Sequence, residues 1–227
     1  MSIRLVVLVS GRGTNLQAII DAIRAGRLQA SVEVVVSDAA DAPAVARART
    51  AGIPAVVVRR RDYSSRAQFD IALAAAVEQA RPDLVVLAGF MRLLSPAFLD
   101  RFPGRVINIH PSLLPAFPGL EAQRQALEYG VKFSGCTVHY VDYGVDSGNI
   151  IDQRVVEVVQ GDDVDSLSAR ILKHEHELLV DVIGRLSEQM NEPVNEQVSE
   201  QMGCEVGGKI GEKMGEGRCA RRGQEQA

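Results

Sequence analysis

No stretch of the 227 residues approaches the roughly 18 uninterrupted apolar positions that a membrane-spanning helix requires, so no membrane partner is expected. A positive field is missing as well. Lys and Arg number 25 against 29 Asp and Glu, the formal charge is -4 and the pI about 5.6, which argues against nucleic acid as a partner. Cysteine is sparse: Cys136, Cys204 and Cys219 are odd in number and lack CxxC spacing, so neither a disulfide framework nor a zinc site is implied. The four histidines, His110, His139, His174 and His176, have no HxxxH spacing and form no recognisable metal set, so no metal is expected. The stretch from Met1 to Ser10 enters a strand directly, without the basic region, apolar segment and cleavage site of a secretory signal; the compartment expected is the reducing cytoplasm. The rest of the composition, 46% hydrophobic and 24% charged, is that of an ordinary globular protein.

Apolar runs alternate with helical patterns along the chain. Ile3 to Val9 reads as a strand buried on both faces, followed by a helix with Leu16, Ile19, Ile20 and Ile23 on one side and Gly26 at its end. Val32 to Ser37 and Pro54 to Val58 are further strands, separated by a helix from Pro43 to Gly52. An S-x-x-Q capping box at Ser65 opens an alanine-rich helix to about Ala80, and Leu84 to Leu87 is the fourth strand. A short helix at Ser95-Pro96 leads to Val106 to Ile109. A helix from Glu121 to Tyr129, strands at Cys136 to Val141 and Ile150 to Val159, and a last helix capped by Asp162-Asp163 and running to about Leu186 complete the pattern. This alternation with short connections predicts an α/β fold, a doubly wound and mainly parallel sheet with helices on both faces.

Beyond residue 187 the character changes. Met190, Val194, Val198, Met202, Val206, Ile210 and Met214 recur every four residues among Glu, Gln, Lys and Gly. A four-residue period drifts about 40° per step against the helical turn, and the glycines weaken a helix further. Residues 188–227 are therefore expected to be a low-complexity tail, either disordered or a helix packed on itself or a partner, with residues 1–187 as the folded domain.

Two constellations carry chemistry. In Arg105 to Pro115, RVINIHPSLLP, Asn108 and His110 share one side of the strand if extended geometry persists to His110. The imidazole then stands at the carboxyl edge of the sheet, where ligands bind in open α/β folds. A carboxylate beside it favours the charged ring that a general acid needs, and Asp146, in a glycine-containing loop after a strand, is a candidate. Sequence spacing alone leaves open a purely structural histidine. The second constellation is Ser10-Gly11-Arg12-Gly13-Thr14-Asn15, a glycine-containing turn into a helix amino terminus, which suits an anion. The dinucleotide fingerprint GxGxxG needs Gly at 16, where Leu16 stands, so the loop fits one phosphate better than a nicotinamide dinucleotide. A tight structural turn is the alternative.

SGRGTNLQAI at Ser10, AGFMRLLSP at Ala88, NIHPSLLP at Asn108, PGLEAQRQAL at Pro118 and SGCTVHYVDYGVDSG at Ser134 occur in order. Together they resemble the folate-dependent phosphoribosylglycinamide formyltransferases, over roughly residues 1–187. The resemblance implies a Rossmann-like formyltransferase fold and transfer of a formyl group from 10-formyltetrahydrofolate, as co-substrate, to the amine of glycinamide ribonucleotide in purine synthesis. By position it implies Asn108, His110 and Asp146 as the catalytic set. Gly13, Thr14 and Asn15 fall on the phosphate loop, Arg66 and Glu175 on further substrate contacts, with Asn108 also touching substrate. Met91, Arg92, Leu93 and Leu94, with Asp142, Tyr143, Gly144, Val145 and Asp146, fall on the walls of the folate pocket. Arg66 and Glu175 have bland alternatives as helix-surface residues, and Met91, Leu93 and Leu94 as ordinary core. The chain departs from the family pattern at Glu121-Ala122-Gln123, where histidines are frequent, and at Asn149, where a proline is usual. Small-molecule substrates and a monomer or homodimer are expected. The competing readings are a methionyl-tRNA formyltransferase or a formyltetrahydrofolate deformylase, both of which carry an additional domain, and a nucleotide-binding module without catalysis.

Overall fold

The structure, a computed structural model, describes residues 2–191. Its seven strands are β1 (Ile3–Val9), β2 (Ala30–Ser37), β3 (Ala55–Val57), β4 (Leu84–Leu87), β5 (Val106–His110), β6 (Phe133–Tyr140) and β7 (Ile150–Glu157). They form one sheet in the order β3-β2-β1-β4-β5-β6-β7. The first five in that order pair in parallel, while β6 pairs antiparallel to both β5 and β7. The expected doubly wound sheet is present, with an antiparallel edge.

The side-chain alternation of β1 divides the core in two. Leu5, Val7 and Val9 pack on one face with Leu16 and Ile19 of α1 (Thr14–Arg24) and with Leu178 and Ile183 of α6 (Val164–Asn191). Val6 and Leu8 pack on the other with Phe69 and Leu73 of α3 (Arg66–Glu78) and Phe98 of α4 (Pro96–Leu99). Full burial of such a side chain stabilises the fold by about 1.5–3 kcal/mol. Helices α2 (Pro43–Thr50) and α5 (Ala122–Tyr129) complete the set. The chain leaves β1 for β2 on one side and later returns to place β4 on the other. The β1/β4 boundary is thus a topological switch point, and the loops at the carboxyl ends of these strands diverge there into a crevice.

Local signals hold with adjustments. Ser65 accepts from the Gln68 N–H at 3.2 Å, but the Gln68 side chain bonds Ser64 Oγ, so the capping box is only half closed. Asp163 caps α6 through the Ser166 N–H at 2.8 Å. That helix runs to Asn191, past the expected end near Leu186, with the Asn191 amide bonded to the Ser187 carbonyl at 2.7 Å. The remainder of the expected tail, 192–227, lies outside the described residues. Among the described residues no helix is long and apolar enough to cross a membrane.

Candidate active site

Strand β5 does extend to His110, whose backbone pairs with Thr137 of β6. The next loop is folded back and pinned. Ser112 carbonyl and Leu114 N–H both bond Thr137 Oγ1, at 2.7 and 3.1 Å, and the Leu114-Pro115 peptide is cis. The Phe117 carbonyl of this loop lies 2.9 Å from His110 Nε2. On the other side of the ring, Nδ1 lies 3.3 Å from Asp146 Oδ2. Both nitrogens face acceptors, and only the imidazolium donates to both. Neither is free, so donation to a substrate oxygen requires the ring to exchange one acceptor.

Asp146 sits in the loop between β6 and β7 with a φ of 49°, the left-handed region that Asp tolerates better than most residues. Gly148 closes this loop onto β6: a Cβ there would lie 1.8 Å from the Tyr140 carbonyl oxygen. Asp146 Oδ2 accepts the Gly119 N–H at 2.8 Å, and Oδ1 is 3.4 Å from Asn108 Nδ2. Burial raises the Asp146 carboxyl, but the His139 ring, the Gly119 N–H and the charge of His110 together hold it below the ordinary carboxylate value.

These three residues sit on the wall of a cleft of about 480 Å³. Met91, Arg92, Leu93, Leu94, Asp142, Gly144 and Val145 line it too, with Leu87, Ile109 and Val141 adding apolar surface. Met91 and Leu93 are exposed, whereas Leu94 is also core. Arg92 pairs with Asp38. Tyr143 stands apart, its hydroxyl bonded to Asp100 at 2.6 Å and its ring exposed. Arg66 lies on neither cleft wall; its guanidinium donates to the Leu93 carbonyl at 2.8 Å and thereby supports the loop from behind.

A second cleft, about 650 Å³, adjoins the first. Gly13, Thr14 and Asn15 form one end. The Gly13 φ is 71°, and a Cβ there would lie 2.5 Å from Ala44 Cβ, so no other residue fits without displacement. No side chain caps α1. The Thr14, Asn15 and Leu16 N–H groups precede the first intrahelical bond, from Gln17 N–H to the Gly13 carbonyl, and make the end of the helix suited to an anion. Glu175 lines the same cleft, is 7% exposed and accepts from Asn15 Nδ2 at 3.0 Å. Burial pushes the Glu175 carboxyl up, opposed by that bond and by the Arg12 charge.

A match to the formyl transferase family covers residues 3–183. The chain belongs to the formyl transferase family. It is 45% identical over 192 residues to Escherichia coli phosphoribosylglycinamide formyltransferase, covering 82% of this chain and 91% of that one. It is 51% identical over 175 residues to the trifunctional purine biosynthetic protein adenosine-3 of Drosophila melanogaster; that match takes in 76% of this chain but spans only 13% of the relative's length. The crystal structure of glycinamide ribonucleotide transformylase 1 from Symbiobacterium toebii superposes with a TM-score of 0.81 at 54% identity, over 83% of this chain and 89% of that one.

Two residues that line these clefts carry no functional signal in the sequence. His139, by pattern a residue within a strand, pairs across the ladder with Asn108 and brings Nε2 to 3.2 Å from Asn108 Nδ2 and 3.6 Å from Asp146 Oδ1. Its Nδ1 faces the Tyr140 carbonyl at 2.8 Å. Only the β5–β6 register identifies it. Gln123 lines both clefts, whereas its sequence marks it only as a departure from the family pattern. Among the described residues no group of three or more His, Cys, Asp or Glu side chains is arranged to hold a metal ion.

Proposed function

We propose that the chain transfers the formyl group of 10-formyltetrahydrofolate to the primary amine of glycinamide ribonucleotide, the step that phosphoribosylglycinamide formyltransferases carry out in purine synthesis. The observation that carries this reading is the adjacency of a helix end suited to an anion and an apolar cleft whose wall holds Asn108, His110 and Asp146. The apolar wall from Leu87 to Leu94 and Val141 fits a flat heteroaromatic ring, and the donor supplies an activated formyl carbon there. The α1 amino terminus suits the ribonucleotide phosphate, and Glu175 is placed to accept from the glycinamide end.

Attack of a neutral amine puts negative charge on the formyl oxygen and leaves an extra proton on the attacking nitrogen. Asn108 has a hydrogen on Nδ2 held only by the long 3.4 Å contact to Asp146, the group most readily released to that oxygen. His110 as imidazolium contributes positive charge beside it, each preorganised donor lowering the barrier by about 3–4 kcal/mol. Asp146, ionised and close to both, orients the ring and relays the amine proton, directly or through water, to the folate N10 as its bond to the formyl carbon breaks, giving the N-formyl product and tetrahydrofolate.

The test is donor consumption by the full chain. 10-Formyltetrahydrofolate is expected to be consumed when glycinamide ribonucleotide is present and left intact with water alone or with charged initiator tRNA. Consumption with water alone would assign a deformylase, and consumption only with charged tRNA a methionyl-tRNA formyltransferase.

A further inference from the structure

Five residues belong to the walls of both clefts: Gly89, Met91, Ile109, Pro111 and Gln123. Four of them have apolar side chains or none. Gln123 alone brings a polar side chain to the shared wall. It is the second residue of α5, half-buried, and comes directly after the turn in which Glu121 takes a φ of 58°. Polar neighbours on this helix are occupied: Gln125 Nε2 donates to the Leu120 carbonyl at 2.8 Å, and Arg124 pairs with Glu121 at 3.4 Å. Among the described residues the Gln123 carboxamide has no hydrogen bond or ion pair with any other protein group.

A carboxamide offers two donors and an acceptor oxygen, and a half-buried one without protein partners leaves that capacity for whatever spans the seam. In the formyl-transfer reading, on which this inference rests, what spans the seam is the attacking amine. A neutral primary amine must direct its lone pair at the formyl carbon, and the direction is set by acceptors for its two N–H groups. Of the nearby carboxylates, Asp146 is engaged by Gly119 and His110, and Glu175, with Asn15 on Oε2, lines only the second cleft and not the seam. A carboxylate at the seam would also favour the ammonium form, which has no lone pair. A neutral acceptor does not.

We propose that Gln123 aligns the acceptor amine with the formyl carbon, its side-chain oxygen accepting one amine N–H. That bond strengthens as the nitrogen becomes cationic in the transition state, so its value lies in turnover more than in ground-state binding.

The experiment is steady-state kinetics of Gln123→Leu and Gln123→Glu against the wild-type full chain, with glycinamide ribonucleotide varied at saturating 10-formyltetrahydrofolate. Gln123→Leu is expected to lower kcat about 10- to 100-fold while the ribonucleotide KM stays within about threefold. Gln123→Glu, which keeps an acceptor but adds charge, is expected to move the acid limb of the kcat profile about one pH unit upward. A Gln123→Leu kcat within about twofold of wild type, or a loss confined to KM, overturns the inference. So does a lowered kcat in Gln123→Leu with an unshifted Gln123→Glu profile, since that pattern marks a packing role. If the wild-type chain fails to consume the donor with the ribonucleotide, the formyl-transfer reading itself fails and takes this inference with it. Wild-type turnover beside unaffected variants removes only the Gln123 assignment.

Discussion

Asp146 and Glu175 are both ionisable and largely buried, yet their surroundings act on them in opposite directions. Asp146 is held below the ordinary carboxylate value despite its burial, by the His139 ring, the Gly119 N–H and the charge of His110. The stability this contributes is complete above the ordinary carboxylate range and is lost as pH falls through the lowered value. Asp146→Asn should therefore melt below wild type at neutral pH, and the gap should narrow below about pH 4, as thermal melts across pH 3–8 will show. Glu175 is pushed the other way, chiefly by burial. Its contribution is complete below the ordinary carboxylate range and declines as pH rises through the raised value. The Tm of Glu175→Gln should thus rise relative to wild type with increasing pH, while its ribonucleotide KM worsens; a Tm difference independent of pH would show that burial does not act on this carboxyl as argued. His110→Ala removes the ring that stands between the Phe117 carbonyl and Asp146. It is expected to cost about 100- to 1000-fold in kcat with ribonucleotide affinity retained, which isothermal titration can check, and near-wild-type turnover would sink the catalytic scheme.

At the scale of elements, the two clefts are built by the loops after β1, β4 and β5 and by the loop between β6 and β7. Ser10 Oγ accepts the Met91 N–H at 2.9 Å and the Ser10 N–H bonds the Gly89 carbonyl at 3.1 Å, so the loop after β1 and the loop after β4 are joined at their bases. The α1 amino terminus depends on a left-handed Gly13 pressed against α2. Gly13→Ala combines backbone strain with a close approach to Ala44 and should destabilise by about 1–3 kcal/mol. It should also raise the ribonucleotide KM more than the folate KM, a split measurable by varying each substrate in turn. Arg66, anchored to the Leu93 carbonyl and facing the inner Asp70 carboxylate at 3.7 Å, acts in this geometry as a brace for the loop that carries Leu93. Which helix a motif begins was plain from local chemistry, as at Ser65 and Asp163. The position of Tyr143 outside the cleft was not, because its direction is decided by the Asp100 carboxylate, remote in sequence.

For the whole molecule, every residue assigned to the two clefts lies before residue 176, and the family match ends at 183. A chain ending at Asn191 is expected to keep kcat within about twofold of the full-length protein, measured under the same saturating conditions. A larger loss would assign residues 192–227 a role in turnover.

The alternation of buried β-branched runs with amphipathic helices arises from nearest-neighbour and period-two or period-3.6 patterns, so the doubly wound fold was legible in residues such as Ile3 to Val9 and Leu16 to Ile23 alone. Asn108 and His110 were legible as same-side partners for the same reason, since two positions on one strand share a face. The antiparallel edge, the Asn108–His139 pairing and the seat of Gln123 on both clefts were not. Strand register and the meeting of loops are set by non-local packing, in which residues more than thirty positions apart are brought together by the burial of other side chains. No local pattern encodes that distance. Sequence determined which chemistry is present and on which elements; the tertiary structure alone decided that His110 and Asp146 come within 3.3 Å of each other and that the polar side chain at the seam of the two clefts is Gln123.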